Sequence, residues 1–289
     1  MEENYFAPSE LIINEDGSIF HLHLKPHELA DKVILVGDPG RVALVASHFD
    51  GVECEVNNRE FRTITGNFKN KRITIVSTGI GCDNIDIVLN ELDALAIDFE
   101  TRKEKTNLRQ LTLVRIGTCG GLQKNTPIGT FIASNKSIGF DGLLNYYAKR
   151  EELDITFENE FKKQVNWNPQ LGNPYVADAD MKLLEQIAQD DMVRGITISC
   201  GGFFGPQGRR LRIPLADPLL NEKIVKFEYN GDRITNFEME SSALSAMASL
   251  LGHKAMTVCC IIAGRQNLNM NTDYKGSIED LIQLVLERI

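Results

Sequence analysis

Apolar positions along the chain fall in short, nearly unbroken runs that stop at glycine or a polar turn: KVILVGDPGR, RITIVSTGIG, LTLVRIGTCGG, TFIASNKSIGFDG, GITISCGGFFG and KAMTVCCIIAGR. Runs of this length without alternation suit strands buried on both faces. Between several of them lie segments of helical period: RVALVASHF, NIDIVLNELDALAID, DADMKLLEQIAQD and the terminal SIEDLIQLVLERI. A further stretch, ITNFEMESSALSAMASLLG over 234–252, reads as a helix bound for a core, with Glu238 and Glu240 flanking Met239 where it begins. Strands alternating with helices predict an α/β layered domain with a largely parallel sheet. In such sheets ligands bind beyond the carboxyl ends of the strands, so the residues just after each run are the first candidates for a site.

The 289 residues, 43% hydrophobic and 25% charged, have the composition of a soluble globular protein. No Pro/Ser-rich linker or low-complexity run divides them, which favours a single domain over 1–289. A net charge of −9 argues against nucleic acid or an anionic membrane as partner. No apolar run approaches the roughly 18 residues of a membrane span, and the acidic start MEENYFAPSE lacks the pattern of a signal peptide. Six cysteines without a C-x-x-C pair complete the expectation of a reduced, cytoplasmic protein without structural disulfides. Cys119, in a glycine turn, is weighed between a small buried hydrophobe and a reactive thiol, with burial favoured. Two stretches look inserted. Residues 99–110 read as a solvated helix end and loop. Residues 145–174, with the only tryptophan, Trp167, are long enough to be a functional, mobile or interface element.

Chemistry concentrates at the strand ends. GDPGR (37–41) joins a strand to a helix, where backbone N–H groups and Arg41 can hold an anion; a plain turn with a surface arginine is the equal alternative. In RIGTCGG (115–121), Arg115 interrupts an apolar strand just before a turn that carries Thr118. A buried guanidinium requires a negative partner, either an internal carboxylate or a bound oxyanion. NNREFRT adds Arg59 and Arg62, and Arg41, Arg115 and Arg59 together can grip one phosphate. GGFFGPQGRR places Phe203 where a flat ring can stack, with Gln207 and Arg209 to read its polar edge. IIAGR ends the last strand in Arg265, with no acid there to protonate a leaving base. Thr235 and Glu238 fit a T-x-x-E capping box. Glu240 has no such explanation and calls for donors such as vicinal sugar hydroxyls, with Met239 as an apolar floor.

Phosphate, sugar and flat base together describe a nucleoside with phosphate. GDPGR, NREF, STGIG, RIGTCGG, PQGR, NFEMESS and IIAGR, in this order over residues 20–266, resemble the uridine phosphorylase branch of the nucleoside phosphorylase superfamily. The resemblance implies an α/β, single-domain, phosphorylase-type three-layer fold with a mixed, partly barrel-like central sheet flanked by helices. It makes residues 1–19 an N-terminal extension and 145–174 an insertion. It implies phosphate binding by Gly37, Arg41, Arg115 and Thr118, with Arg59 supplied across a dimer interface. It implies ribose contacts from Met239 and Glu240, with Glu238 beside them and His21 reaching the neighbour's ribose. Phe203, Gln207, Arg209 and Arg265 would hold uracil, and Arg209, Gln207 and Arg115 carry the catalysis. No metal or organic cofactor is expected beyond a monovalent cation such as K+ at Glu60 on the dimer interface. The implied activity is the reversible conversion of uridine and phosphate to uracil and ribose 1-phosphate in pyrimidine salvage. The implied assembly is at least a homodimer, with a hexamer of dimers also open. Purine nucleoside phosphorylase, nucleosidase and a silent nucleoside-binding protein are the alternatives on the same scaffold.

Overall fold

The computed structural model describes residues 5–97, 99–104, 108–265 and 268–289. Parts of the 1–19 extension, of the charged 99–110 segment and of the AGRQN stretch therefore lie outside the described residues. The chain begins with β1 (Lys32–Val36) and α1 (Pro39–Ala46), continues through an antiparallel meander of β2 (Gly51–Asn58), β3 (Phe61–Phe68) and β4 (Lys71–Ser77), and enters α2 (Cys82–Ala96). Next come β5 (Thr112–Gly121), β6 (Phe131–Gly139), α3 (Ile155–Val165), β7 (Tyr175–Asp178), α4 (Met181–Ile187) and β8 (Val193–Ser199). The last third holds α5 (Leu220–Lys226), β9 (Glu228–Tyr229), β10 (Asp232–Glu238), α6 (Ser241–Leu251), β11 (Lys254–Gly264), β12 (Asn269–Met270) and α7 (Lys275–Arg288). The six apolar runs are β1, β4, β5, β6, β8 and β11.

Five strands close on themselves: β11 pairs with β6 and with β5, and β8 and β10 complete the ring between them. From β5 the sheet continues outward through β1, β4, β3 and β2. Near-continuous apolar strands are needed because both faces are covered. In β1, Ile34 and Val36 share one core with Val42 of α1 and Leu281 of α7, whereas Val33 and Leu35 share another with Leu89 of α2 and Leu244 of α6. Each such buried aliphatic side chain contributes about 1.5–3 kcal/mol.

The sheet is mixed, so the largely parallel sheet predicted from the apolar runs is corrected. β1–β4, β1–β5, β5–β11, β6–β8 and β8–β10 are parallel, but β10 enters antiparallel to β5, and β11 antiparallel to β6. β10 was concealed inside the stretch 234–252 read as helix; the helix proper starts only at Ser241 and ends at Gly252 in the left-handed conformation, φ 81°. Residues 234–238 stay extended because Ile234, Thr235 and Phe237 suit a strand, and Ile234 and Asn236 to Glu238 pair with β8, with Thr235 at a register shift between them. Residues 145–174 are not a structureless loop. Asp154 caps α3 by accepting the Phe157 N–H at 2.9 Å, Asn166 ends it at φ 49°, and Phe157, Phe161 and Val165 are buried in a core shared with Phe227. Trp167 stacks on Phe140 with ring centroids 4.7 Å apart.

Candidate active site

The carboxyl ends of β1, β4, β5, β8, β10 and β11 open on one cleft of about 970 Å³. At one end, the parallel pairing of β1 and β5 sets Gly37–Arg41 beside Arg115–Thr118. Gly37 has little room for a side chain, since a Cβ would lie 3.3 Å from the Gly79 carbonyl. Asp38 caps α1: its carboxylate accepts the Gly40 N–H at 2.8 Å and its carbonyl the Arg41 N–H at 2.9 Å. The backbone donors expected at this helix start are thus occupied by Asp38, and the positive charge left is the Arg41 guanidinium. Arg41 donates to the Ile116 carbonyl at 3.3 Å and has no carboxylate ion pair among the described residues. Burial lowers its pKa, and the nearby Arg115 lowers it further. An anion placed between the two guanidiniums relieves both effects.

Arg115 meets the internal carboxylates that the sequence left as one of two options. Its Nη2 pairs with Glu240, and its Nη1 lies 3.3 Å from Glu238 Oε2. Burial works against its charge, but Glu240 and Glu238 outweigh burial and raise its pKa. Gly117 must be glycine here, because a Cβ would run into that guanidinium and come within 2.9 Å of Cys259 Sγ. Thr118 lines the same wall. Cys119, 5% exposed, also borders the cleft, with its thiol pushed well above the ordinary range by burial; the small-hydrophobe reading fits.

The two glutamates have separate environments. Glu238 does cap α6, but not through the predicted box: Thr235 sits in β10 and donates to the Ile196 carbonyl. Glu238 instead accepts the N–H of Glu240 at 2.8 Å and of Ser241 at 3.0 Å, and the hydroxyls of Ser241 at 2.8 Å and Ser199 at 2.5 Å. Among the described residues Glu240 accepts the Gly81 N–H, at 2.8 Å, and the Arg115 guanidinium. Burial pushes its pKa up to about 7; Arg115 opposes this and the Glu238 charge adds to it. Glu238 is therefore saturated with donors, whereas Glu240 faces the cleft with capacity to accept more. Met239 lies between them on the cleft wall.

At the far end, Arg209 stacks on Phe203, its Cζ 3.8 Å from the ring centroid, and donates to the Phe203 carbonyl at 2.7 Å and to Gln207 Oε1. Arg209 thereby takes one face of Phe203, and only the other is open to a flat ligand. Gln207 is 2% exposed, and its carbonyl accepts from Arg265 Nη2 at 2.7 Å and Asn221 at 3.1 Å. Arg265 so supports Gln207. Burial, then Arg265, pull the Arg209 pKa down to about 10.

Three sequence candidates stand apart from this constellation or at its edge. Arg59, at the β2–β3 hairpin tip, lies over Phe20 with its Cζ 5.8 Å from the ring and does not line the cleft of its own chain, which Arg41 and Arg115 do. His21 pairs with Glu91 at 2.7 Å, also outside the cleft. Glu60 borders the mouth beside Asn84. Arg62, raised with Arg59, pairs with Glu55 at 2.7 Å instead. The Gly79–Gly81 turn, within STGIG, supplies the backbone donor to Glu240, a role its motif did not reveal. The signal was its glycines, which adopt φ of 70° and 100°. Leu268, Asn269 and Met270 line the cleft as well and carry no recognisable motif.

The strand ends thus gather four arginines, two buried carboxylates and an aromatic–amide pocket in one cleft, an arrangement suited to a small anionic or polar substrate. The chain belongs to the phosphorylase superfamily, whose family model matches residues 31–287. It is 31% identical to a uridine phosphorylase of Thermococcus kodakarensis over 270 residues, covering 90% of this chain and 82% of the relative. A nucleoside phosphorylase of Trypanosoma brucei, whose crystal structure is described as showing uridine phosphorylase activity, superposes with a TM-score of 0.87 at 29% identity, over 96% of this chain and 98% of that one. A purine nucleoside phosphorylase of Geobacillus stearothermophilus is 26% identical over 272 residues, 92% of this chain and 97% of the relative.

Proposed function

We propose that the protein is a uridine phosphorylase, a pentosyltransferase that converts uridine and phosphate reversibly to uracil and ribose 1-phosphate. Phosphate, held by Arg41, Arg115, Thr118 and Gly37, attacks C1′ as the bond to the base N1 breaks. The bonding electron pair leaves on the uracil ring, where Gln207 and Arg209 stabilise the charge. Glu240 accepts from the ribose hydroxyls and Met239 floors the sugar, so that positioning supplies much of the remaining acceleration.

The observation that carries this reading is the sorting of charge along the cleft. Its lining acids, Asp38, Glu60, Glu238 and Glu240, belong to the phosphate and sugar half, while the base half carries Phe203, Gln207, Arg209 and Arg265. Arg41, lacking a carboxylate, supports phosphate over water as the nucleophile. The purine alternative would need an acid at the base end, and none lines it among the described residues. Arg59 and His21 serve the neighbouring subunit in this reading, in at least a homodimer. Their common surface supports the assignment: Asn58, beside Arg59, donates to the His21 carbonyl at 2.8 Å. A monovalent cation at Glu60 belongs to the same interface.

Uracil release from uridine, measured with and without phosphate, tests the proposal. Release that requires phosphate is expected. Release without it indicates a hydrolase, phosphate-dependent release from inosine alone indicates a purine enzyme, and no release indicates a binding protein.

A further inference from the structure

Behind the Met239–Glu240 step lies a buried polar network that the reaction as described does not use. Tyr175, on β7, is fully buried, and its hydroxyl donates to both carboxylate oxygens of Asp141, at 2.9 and 3.0 Å. Asp141 also accepts the Ser242 hydroxyl at 3.1 Å and the Leu143 N–H at 2.8 Å. Ser242 stands in the first turn of α6, and its N–H donates to Ser199 Oγ at 2.9 Å, whose hydroxyl in turn donates to Glu238.

The hydroxyls of Tyr175 and Ser242 converge on Asp141 and lie 3.0 Å from each other, and those of Ser199 and Ser241 converge on Glu238, also 3.0 Å apart. Two carboxylates thus flank the N-terminus of α6, where the helix dipole favours negative charge. The same residues tie three segments together. The Phe140 N–H donates to the Ser199 carbonyl at 2.8 Å and the Cys200 N–H to the Glu238 carbonyl at 3.0 Å. Gly201, which opens the base loop, neighbours Asp141, where a Cβ would make ordinary van der Waals contact at 3.5 Å from its Cα. Gly139 cannot carry a side chain without striking the Tyr175 ring.

We infer that Asp141, Tyr175 and Ser242 form a positioning group that fixes the Met239–Glu240 step and the start of the base loop relative to each other, and so sets the geometry of the nucleoside half of the cleft. None of the three lines the cleft; they act through Ser199, Glu238 and the first turn of α6. Gly37 to Arg41, at the end of β1 and the start of α1, has no hydrogen bond to this network among the described residues, and Arg115 meets it through Glu238, whose Oε2 lies 3.3 Å from Nη1. This role rests on the proposed nucleoside chemistry.

The test uses the full chain with Tyr175→Phe, which deletes one hydroxyl, and Asp141→Asn, which keeps the shape and removes the charge. Wild type is assayed first with uridine and inosine, and variants with whichever nucleoside it cleaves. kcat/KM for the nucleoside should fall about tenfold or more, since small misplacements near the reacting atoms are costly, while the KM for phosphate stays within about twofold of wild type. Calorimetry should show weaker ribose 1-phosphate binding and unchanged phosphate binding. A lower melting temperature with both KM values, kcat and ribose 1-phosphate affinity unchanged assigns the network a purely structural role and overturns the inference, as does an equal loss on both substrates. If Asp141→Asn does not fold, Tyr175→Phe carries the test. Wild type inactive on every nucleoside counts against the enzyme reading, and calorimetry on Tyr175→Phe then still decides the positioning role: unchanged or undetectable ribose 1-phosphate affinity in both proteins overturns it.

Discussion

Arg41 and Arg115 both point into the phosphate end of the cleft, but the protein depends on them differently, and replacing each by methionine separates the roles. Arg115 is 4% exposed and sits between Glu238 and Glu240. Removing it leaves two buried carboxylates without their cation, which costs about 3–5 kcal/mol, a large part of a typical total stability of roughly 5–15 kcal/mol. At roughly 2 °C per kcal/mol for a chain of this size, that is a melting-temperature loss of about 6–10 °C. Arg41 has no carboxylate to abandon and feels the like charge of Arg115. Its replacement should leave the melting temperature in phosphate-free buffer unchanged or slightly raised. What Arg41→Met removes is a charge-assisted hydrogen bond to phosphate, worth about 1.5–3 kcal/mol, so the phosphate KM should rise roughly 10- to 150-fold. Adding phosphate should stabilise wild type by mass action and Arg41→Met much less. Thermal unfolding with and without phosphate, together with steady-state kinetics, reads all of these. The reasoning fails if the two variants lose the same stability, or if Arg41→Met keeps a phosphate KM within twofold of wild type.

Two further outcomes follow from the same cleft. Arg209→Ala should lower kcat about 10²-fold, as loss of one donor to developing charge does elsewhere, and shift the melting temperature by less than about 2 °C, because Arg209 is half-buried and holds only Gln207 and the Phe203 carbonyl; near-normal uridine turnover would refute the base-pocket assignment. Glu240 has a folded pKa of about 7, above the roughly 4.3 of an unfolded glutamate. A carboxyl raised in this way favours the folded state fully below the unfolded pKa, and that contribution is lost as pH rises through the folded pKa. Glu240→Gln fixes the neutral form, so its melting temperature should vary less than wild type's between about pH 5 and 8; parallel profiles in phosphate-free buffer would show that Glu240 is not the titrating group.

Legibility of the fold in the sequence followed burial. The six runs were readable because each carries a block of apolar side chains bounded by a turn, although β6 is broken by Ser134 to Ser137. β10 was not, because Thr235, Asn236 and Glu238 are polar yet buried, bonded respectively to the Ile196 carbonyl and to the hydroxyls of Thr197 and Ser199 on the adjacent β8. Hydropathy has no means of distinguishing such a strand from the start of the helix that follows. β2 escaped for the opposite reason, with an exposed, mostly polar face. In the site, arginines after strand ends were conspicuous by their position, and Glu240 by its lack of a local partner. Which carboxylates would neutralise Arg115 was undetermined, since that pairing joins residues 125 apart in sequence. Asp141, Tyr175 and Ser242 gave no signal, because their meaning lies in how three separate elements meet.

Ring closure also bears on how the molecule comes into being on the ribosome. β5 carries Arg115 and Thr118, but its closing partner β11 is made only after most of the chain has emerged. Until residues 254–264 are synthesised, β5 presents an unpaired edge, the kind of surface that invites pairing with the wrong strand. The carboxylates that neutralise Arg115 arrive almost as late. A nascent chain therefore holds its phosphate strand open, with an unneutralised cation interrupting that bare edge. This charge deters two such edges from joining before the native partner appears.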